Sequence, residues 1–180
     1  MWYAVQVSTG HEQMVCDMIA QAAADEASLD ECFVPTYRTG QKRGGAWEPC
    51  ERVLFPGYLI VVTRQIERVE RMLRSVKTFT RLLGNDKAFI PLNPEEVAWI
   101  EAFTSRDDRL VEMSEGYLED GRVVVTSGPL VRHEYLIDEV NHRQRKARLR
   151  VQMFNRTITA EVGLKLVGKK SYQKSIGKHD

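Results

Sequence analysis

The sequence predicts an α+β protein in which a mixed region of strands and helices is followed by a small β-barrel. Three observations lead to this prediction. Apolar residues recur with helical spacing in three segments before residue 105, strand patterns separate those segments, and a period of two dominates beyond residue 118. We therefore expect an N-terminal domain over residues 1–105, a linker over 106–118, a β-domain over 119–168 and a basic tail over 169–180.

The N-terminal region begins with a strand and continues with a helix. Alternation of apolar and other residues in "MWYAVQV" predicts the strand. Thr9 and Glu12 have the T-x-x-E spacing of a capping box, which predicts the start of the helix. We expect the buried face of this helix to consist of Val15, Met18, Ile19 and Ala22.

The next segments continue the alternation of strands and helices. "ECFVPTY" predicts a short strand broken by Pro35, "RTGQKRGGAWEPC" a polar loop, and "RVLFPGYLIVVT" the strongest strand of this half. A second helix follows, whose apolar face would be Ile66, Val69, Leu73 and Val76 and whose outer face would carry Arg64, Arg68, Arg71 and Arg74. After a short strand in "AFIPL", Asn93 and Pro94 open a third helix, with Val97, Ile100 and Phe103 facing its core.

The C-terminal region has the pattern of short strands joined by turns. Residues 120–140, "DGRVVVTSGPLVRHEYLIDEV", predict a hairpin around Gly128 and Pro129. In "RLRVQMF" and "TITAEV" apolar residues alternate with charged or polar ones, which favours strands rather than helices. Several short strands in so few residues predict a small β-barrel.

Charge is distributed unevenly along the chain. Residues 1–140 carry 15 Lys and Arg against 23 Asp and Glu, whereas residues 141–180 carry 11 against 2. A short basic end on an acidic body is typical of proteins that bind a polyanion, because phosphate contacts release counterions. The alternative is a solubilising basic face or tail.

The sequence offers little for catalysis or for a metal. The four histidines are scattered, and the chain carries none of the common nucleophile, zinc-protease or phosphate-loop motifs. Three cysteines without C-x-x-C spacing favour free thiols over a disulfide framework or a zinc site. We therefore expect a non-enzymatic protein without a cofactor. Because no apolar run is long enough to span a bilayer, we also expect no membrane association and a cytoplasmic location.

Four segments in order carry a resemblance to a known family. "WYAVQVSTGHE", "FPGYLIVV", "DGRVVVTSGPL" and "MFNRTITAEV" together resemble the NusG family of transcription elongation factors over nearly the whole chain. The resemblance implies a NusG-type N-terminal α/β sandwich domain, a linker and a KOW (SH3-like) β-barrel. It also implies a monomer that binds bacterial RNA polymerase.

The resemblance implies that the N-terminal domain docks on the clamp helices of the polymerase. The matching positions are Phe55, Pro56, Gly57 and Tyr58, and Tyr3 on the first strand would line the same surface. Aromatic anchors are frequent energetic centres of interfaces. The alternative is that Tyr58 fills the sheet face and that Trp2 or Tyr3 packs in the core.

The polar loop of the N-terminal domain corresponds to a loop that faces upstream nucleic acid in the family. Lys42 and Arg43, with Arg38 and Arg52, are suited to phosphate contact, and Trp47 to stacking on a base. Upstream DNA is therefore a further expected partner. The alternative is that Trp47 folds back on the domain.

The segment "NHRQRKARLR" departs most from the family pattern and predicts an RNA-binding surface. Its basic residues are His142, Arg143, Arg145, Lys146, Arg148 and Arg150, and the preceding loop adds Arg132, His133 and Tyr135. Tyr135 stands where the KOW pattern has glycine, so the loop must run differently or present an aromatic surface. The alternative is a solvated turn.

These departures favour a specialised member of the family, most similar to LoaP, the processive antiterminator. Its KOW domain would bind a hairpin in the nascent leader RNA while the N-terminal domain holds the polymerase, which would suppress pausing and termination. Two other readings stay open. One is a general elongation factor whose KOW domain recruits Rho or ribosomal protein S10, and the other is a ribosome-associated KOW protein.

Overall fold

The structure, a computed structural model, describes residues 1–23, 29–75, 80–85 and 88–168. The chain forms two compact units, each assembled from discontinuous segments. Unit 1 consists of Met1–Pro35, Val53–Glu101 and Met153–Arg156; unit 2 consists of Thr36–Arg52, Ala102–Gln152 and the chain from Thr157 onward. Helices and sheets are mixed as the α+β class requires, whereas the β-barrel and the domain boundaries stay predictions.

The described residues contain three α-helices and several sheets. The helices are α1 (Glu12–Ala22), α2 (Ile66–Ser75) and α3 (Pro94–Phe103). The strands of the first half are β1 (Trp2–Val7), β2 (Glu31–Phe33), β3 (Thr36–Arg43), β4 (Ala46–Val53), β5 (Tyr58–Val62), β6 (Thr80–Leu82), β7 (Gly84–Asn85) and β8 (Ala88–Phe89). The second half adds β9 (Leu110–Val111), β10 (Ser114–Glu119), β11 (Arg122–Ser127), β12 (Ile137–Asn141), β13 (Lys146–Met153) and β14 (Arg156–Leu166).

Unit 1 is built on an antiparallel sheet with the strand order β2-β5-β1-β6. One face of this sheet, which includes Val5 and its cross-strand neighbour Leu59, forms a core with Val15 and Ile19 of α1 and Val69 of α2. All five side chains are fully buried. Because burying one such side chain stabilises a protein by roughly 1.5–3 kcal/mol, this core is sufficient to fix both helices on the sheet.

The first helix is confirmed, but its start and its buried face differ from the prediction. His11 is the N-cap residue and makes no side-chain cap bond, so the capping box of Thr9 and Glu12 was wrong. Met18 and Ala22 are exposed, and the buried face consists of Glu12, Val15, Cys16, Ile19 and Ala23. The carboxylate of Glu12 turns inward to other donors, which explains why it does not cap its own helix.

The second and third helices follow their predictions closely. Ile66, Val69 and Leu73 are buried in α2, while Val76 lies outside the described residues. The exposed face of the α2 region carries Arg64, Arg68, Arg71 and Arg74. The start of α3 is a reciprocal cap, because the N–H of Glu96 donates to Asn93 Oδ1 and the N–H of Asn93 donates to Glu96 Oε2, both at 2.8 Å.

The segment predicted as a polar loop is a β-hairpin instead. β3 and β4 are joined by Gly44 and Gly45, whose positive φ angles of 56° and 86° suit a tight hairpin turn. Pro49 is tolerated because β4 is an edge strand in the order β4-β3-β9. The long strand predicted over "RVLFPGYLIVVT" was also wrong in extent, since a turn separates β4 from β5 at residues 54–57.

Unit 2 contains a five-stranded sheet in the order β11-β10-β14-β13-β12. Alternation along β13 is confirmed, because Leu149, Val151 and Met153 are buried while Arg148 and Arg150 are exposed. The predicted hairpin over residues 120–140 was wrong. β11 pairs with β10 and β12 pairs with β13, because a short 3₁₀ turn at Glu134–Leu136 carries the chain between the two edges of the sheet.

The β3–β4 hairpin belongs to unit 2 because its backbone approaches β14 closely. A Cβ atom at Gly163 would lie 2.1 Å from the carbonyl oxygen of Arg38, so only glycine allows this approach. Within the stretch predicted as a linker, residues Leu110–Val111 form β9 beside β3 and residues Ser114–Glu119 form β10. The predicted basic tail over 169–180 lies outside the described residues.

Two further predictions concern cysteines and membrane spans. The three cysteines are free thiols, and the Sγ atoms of Cys16 and Cys32 lie 3.0 Å apart. The hydrogen bond with Cys16, together with burial, raises the pKa of the Cys32 thiol. Among the described helices, none combines the length and the apolar character needed to cross a bilayer.

Candidate functional site

A buried carboxylate shapes the turn that carries the Phe-Pro-Gly-Tyr motif. Glu12 is 3% exposed, and its Oε1 accepts a hydrogen bond of 2.7 Å from the N–H of Gly57. Its Oε2 accepts one of 2.8 Å from the N–H of Gly10. The N–H of Val7 donates to the Gly57 carbonyl at 2.8 Å. Glu12 thus anchors the turn to β1 and α1, a role that the sequence pattern did not reveal.

Four aromatic side chains of unit 1 form a cluster beside this turn, which we call the aromatic site. They are Phe55, Tyr58, Trp99 and Phe154. The Phe55 ring centroid lies 5.9 Å from that of Trp99 and 5.4 Å from that of Phe154. Tyr58 stacks on Phe154 with centroids 4.5 Å apart. These offset and edge arrangements are the favourable ones for aromatic pairs.

Phe154 reaches the aromatic site from the tight turn between β13 and β14. Phe154 and the next residue, Asn155, have positive φ angles of 58° and 56°. The N–H of Asn155 donates to Glu96 Oε1 at 3.1 Å, and Arg156 donates to the Tyr58 hydroxyl at 2.6 Å. Phe154 covers Phe55 together with Trp99, and Phe55 is only 2% exposed.

The structure distributes the predicted polymerase-binding residues over different environments. Phe55 and Gly57 are buried, Tyr58 is half-buried and Pro56 is exposed. Tyr3 lies in the core cluster between the sheet and the helices, and burial raises the pKa of its hydroxyl. The aromatic site therefore contains Phe55 and Tyr58, whereas Tyr3 belongs to the core that supports β1.

A basic cleft lies in unit 2 between the β3–β4 hairpin and the β12–β13 turn. Its volume is about 300 Å³. The residues that define its chemistry are Lys42, Trp47, Cys50, Arg52, Arg143 and Lys146. Among the described residues that line this cleft, none is an aspartate or a glutamate. The sequence analysis treated these two segments separately. It predicted the β3–β4 segment to be a loop that faces upstream nucleic acid and the β12–β13 turn to bind RNA.

Trp47 connects the two halves of the basic cleft. The Arg145 guanidinium carbon lies 4.2 Å from the centroid of the Trp47 ring, within the range of a cation–π contact. The indole also lies against Gly40, where an added Cβ would be 2.9 Å from Trp47 Cε3. The Thr39 hydroxyl is 3.4 Å from the carbonyl oxygens of Gln144 and Arg145. Trp47 is therefore half-buried rather than projecting freely.

Lys146 stands on an ionic network at one wall of the basic cleft. Its ammonium donates to Glu161 Oε2 at 2.7 Å, and the Tyr37 hydroxyl donates to the same oxygen at 3.1 Å. Burial opposes the charged Lys146, but the hydrogen bonds with Glu161 and Tyr37 outweigh it and raise the pKa of the ammonium. The hydrogen bond from Lys146 lowers the pKa of Glu161.

The remaining basic residues of the predicted RNA surface lie outside the cleft lining or are paired with acids. Arg148 donates to Glu139 at 2.5 Å and Arg150 donates to Asp138 at 2.8 Å, so the two strand arginines are partly neutralised. Within the hairpin, Arg43 pairs with Glu48, and Arg38 pairs with both Glu51 and Glu112. His142 is exposed on the β12–β13 turn.

The loop that precedes β12 forms a separate aromatic patch. His133 packs edge-on against Phe103 at 5.0 Å and lies 6.1 Å from Tyr135. Tyr135 is 78% exposed. The positive φ of this loop falls on Arg132 rather than on Tyr135, so the loop accommodates tyrosine by forming a 3₁₀ turn. The predicted RNA-binding residues thus fall into three groups rather than one.

Comparison with known proteins gives a consistent result. The family model described as transcription termination factor NusG matches residues 1–101, more than half of the chain. The transcription termination/antitermination protein NusG of Helicobacter pylori is 28% identical over 166 residues, which cover 89% of this chain and 93% of that protein. NusG of Pseudomonas aeruginosa is 27% identical over 177 residues, covering 93% and 97%. A solved structure on domain interaction in Thermotoga maritima NusG shares the fold, with a TM-score of 0.54 at 19% identity over 90% of this chain and 92% of that chain.

Proposed function

This chain belongs to the NusG family of transcription termination/antitermination factors, and we propose that it acts as a specialised antiterminator of the LoaP type. It binds RNA polymerase through the aromatic site and binds a hairpin of the nascent leader RNA through the basic residues of a KOW domain. Bridging polymerase and transcript suppresses pausing and termination. The factor acts in the cytoplasm, as a monomer and without catalysis of its own.

The aromatic site supports the polymerase-binding half of this proposal. Phe55 and Tyr58 supply a compact apolar surface, and the hydrogen bond that Glu12 accepts from the N–H of Gly57 holds the Phe-Pro-Gly-Tyr turn in place before any partner binds. A preorganised turn reduces the entropy lost on binding. Because Phe154 covers Phe55, docking on the clamp helices of the polymerase requires this turn residue to leave.

The basic cleft is the observation that carries the RNA-binding half. Lys42, Arg52 and Arg143 converge on one concave surface without a carboxylate among its described lining residues. A phosphate backbone is the natural ligand of such a surface, since each neutralised phosphate releases a counterion. Upstream DNA is a further ligand of the same chemistry. Arg148 and Arg150 contribute less at first contact, because Glu139 and Asp138 compete with phosphate for them.

The experiment that tests this function measures binding of the full chain to the structured leader RNA of its own operon. Physiological salt and an excess of unrelated RNA are present, because counterion release alone also produces non-specific binding. We expect binding to survive the competitor. Lys42→Ala combined with Arg143→Ala should weaken RNA binding and leave polymerase binding intact, and the matched control Arg64→Ala with Arg71→Ala should change neither.

A general elongation factor is the second candidate, and the relatives favour it. Proteins named transcription termination/antitermination protein NusG are 26% to 28% identical to this chain over most of its length. Such a factor would recruit Rho or ribosomal protein S10 through its KOW domain. Leader RNA binding that disappears under competitor contradicts the antiterminator and supports the general factor. Both candidates use the aromatic site to bind the polymerase. A purely ribosome-associated KOW protein would leave that site without a role.

A further inference from the structure

The basic cleft has the dimensions of a pocket for one small group rather than of a track for a duplex. Its volume of about 300 Å³ lies at the lower end of the range of about 300–1,000 Å³ that is typical of small-ligand pockets. A regular RNA helix keeps its bases stacked inside and its sequence-bearing groove closed to side chains. A base enters such a cleft only when it is unpaired.

The walls of the cleft divide into an aromatic part and a cationic part. Trp47 lines it with an indole held in place by Gly40 and Arg145, so the ring is fixed before any ligand binds. Stacking on a fixed aromatic ring is the sequence-tolerant way in which proteins hold single-stranded bases. The planar guanidinium of Arg145 covers one face of the ring, so a base stacks either on the other face of the indole or on the guanidinium, because arginine also stacks on bases.

The cationic part of the cleft retains donors for phosphate. Among the residues that the structure describes, Arg52 donates to the amide oxygen of Gln41 at 3.3 Å and to no carboxylate. Within the described part of the chain, Lys42 and Arg143 form no ion pair, whereas Lys146 is held by Glu161. Three cations on the rim therefore stand available to a phosphate without first breaking a bond to a carboxylate.

We propose that the basic cleft binds one unpaired nucleotide of a single-stranded nucleic acid, with the base against Trp47 and the flanking phosphates on Lys42, Arg52 and Arg143. This inference rests on the proposed nucleic-acid function and sharpens it. The β3–β4 hairpin and the β12–β13 turn act as one binding site, although about 100 residues of sequence separate Trp47 from Arg145. The strand is recognised where a loop or bulge exposes a base.

The test compares the full chain with four probes of one sequence. The probes are a fluorescent single-stranded RNA, the same RNA annealed to its complement, its abasic analogue and the matching single-stranded DNA. We expect the single-stranded RNA to bind roughly tenfold more tightly than the duplex and the abasic analogue, because both lack an accessible base. Equal affinity for all of them overturns the inference.

Substitutions in the cleft separate stacking from charge. Trp47→Ala should weaken single-strand binding roughly tenfold, and Trp47→Phe should restore most of the affinity. Gly40→Ala displaces the indole while leaving every charge in place, so it should imitate Trp47→Ala. Arg143→Ala should weaken RNA and abasic analogue alike, and the matched control Arg64→Ala should weaken neither. Wild-type affinity of the Trp47→Ala and Gly40→Ala proteins overturns the inference.

The remaining comparisons identify the source of the nucleotide. They also distinguish failure of the cleft proposal from failure of the proposed function. Tighter binding of RNA than of DNA identifies the transcript as the source, and equal binding identifies any single strand, including upstream DNA; both results support the cleft. Full competition by adenosine monophosphate would show a free-nucleotide site and overturn the inference. If RNA binding depends on Arg148 but not on Trp47, the inference about the cleft is wrong and the proposed function stands. If the protein does not bind RNA at all, both are wrong.

Discussion

The aromatic site of unit 1 and the basic cleft of unit 2 differ in the polarity of their side chains and in how tightly those side chains are packed. In the aromatic site the side chains are largely apolar and already packed, with Phe55 tilted against Trp99 and edge-on to Phe154. In the basic cleft the side chains are charged and the space between them is open. Apolar burial depends only weakly on moderate salt concentrations, whereas phosphate binding depends strongly on them. If the two regions bind as proposed, Phe55 must be uncovered before the aromatic site meets a partner, whereas the basic cleft is open to its ligand from the start.

The largest expected effect tests whether Phe55 belongs to the core. Phe55→Ala should lower the free energy of unfolding by about 3–5 kcal/mol, because it leaves a cavity between Trp99 and Phe154. Chemical denaturation measures this change. A loss below about 1 kcal/mol, as expected for an exposed aromatic residue, would break the contrast between a covered and an open site. Loss of polymerase binding by this variant is informative only where the protein remains folded.

Glu12→Ala tests the support of the same site. The substitution leaves the N–H of Gly57 without its acceptor in a buried position and the N–H of Gly10 without its acceptor in a partly buried one. Because an unsatisfied buried donor costs about 1–3 kcal/mol, we expect a loss of roughly 2–4 kcal/mol in unfolding free energy. Polymerase affinity should fall with it, whereas RNA affinity of the folded fraction should not. Gln13→Ala, an exposed change on the same helix turn, is the control and should behave as wild type.

Phe154→Ala tests whether the turn residue restrains the aromatic site. Because Phe154 is buried, removing its ring should cost about 3 kcal/mol of stability through lost aromatic contacts and the cavity left behind. At the same time polymerase affinity should rise several-fold, because a larger fraction of molecules has an uncovered Phe55. Surface-immobilised polymerase provides the measurement, and Gln152→Ala serves as the control. An unchanged or weaker affinity would show that Phe154 does not compete with the polymerase.

Salt titration sharpens the difference between the two regions. The logarithm of RNA affinity should fall linearly with the logarithm of salt concentration, while polymerase affinity through the aromatic site should change little. Lys42→Ala should reduce the slope for single-stranded RNA by roughly 0.7, the value for one phosphate contact. Arg64→Ala should leave the slope unchanged. A salt slope that is equally steep for both partners contradicts the division of roles.

The smallest effect concerns the ion pair behind the cleft. Glu161 has a lowered pKa, so its contribution to stability is present above its ordinary value of 4.5 and is lost as the pH falls through the depressed value. Lys146 has a raised pKa, so its contribution is present below 10.5 and is lost at still higher pH. Since both groups are partly exposed, the change should stay below about 1 kcal/mol. Glu161→Gln should make the acidic limb of the profile of unfolding free energy against pH shallower by this amount.

The local sequence pattern was sufficient to predict those helices and strands that bury one face. The alternation in β13 placed Leu149 and Val151 inside, and Asn93 and Glu96 formed the predicted cap. Prediction failed where a polar segment pairs with itself, as in the β3–β4 hairpin, because its stability comes from the glycine turn and from β9 rather than from an apolar face. Phe55 and Tyr58 of the aromatic site were named as candidates from the motif, but the burial of Phe55 was not predicted.

By itself the sequence determined the periods of its helices and strands, the basic character of "NHRQRKARLR" and the motif Phe-Pro-Gly-Tyr, because each is a property of neighbouring residues. Tertiary structure alone decided that Glu12 holds Gly57, that Phe154 covers Phe55 and that Trp47 meets Arg145. These pairs join positions far apart in the chain. Their contacts depend on sheet register and on close backbone approach, which no local spacing encodes.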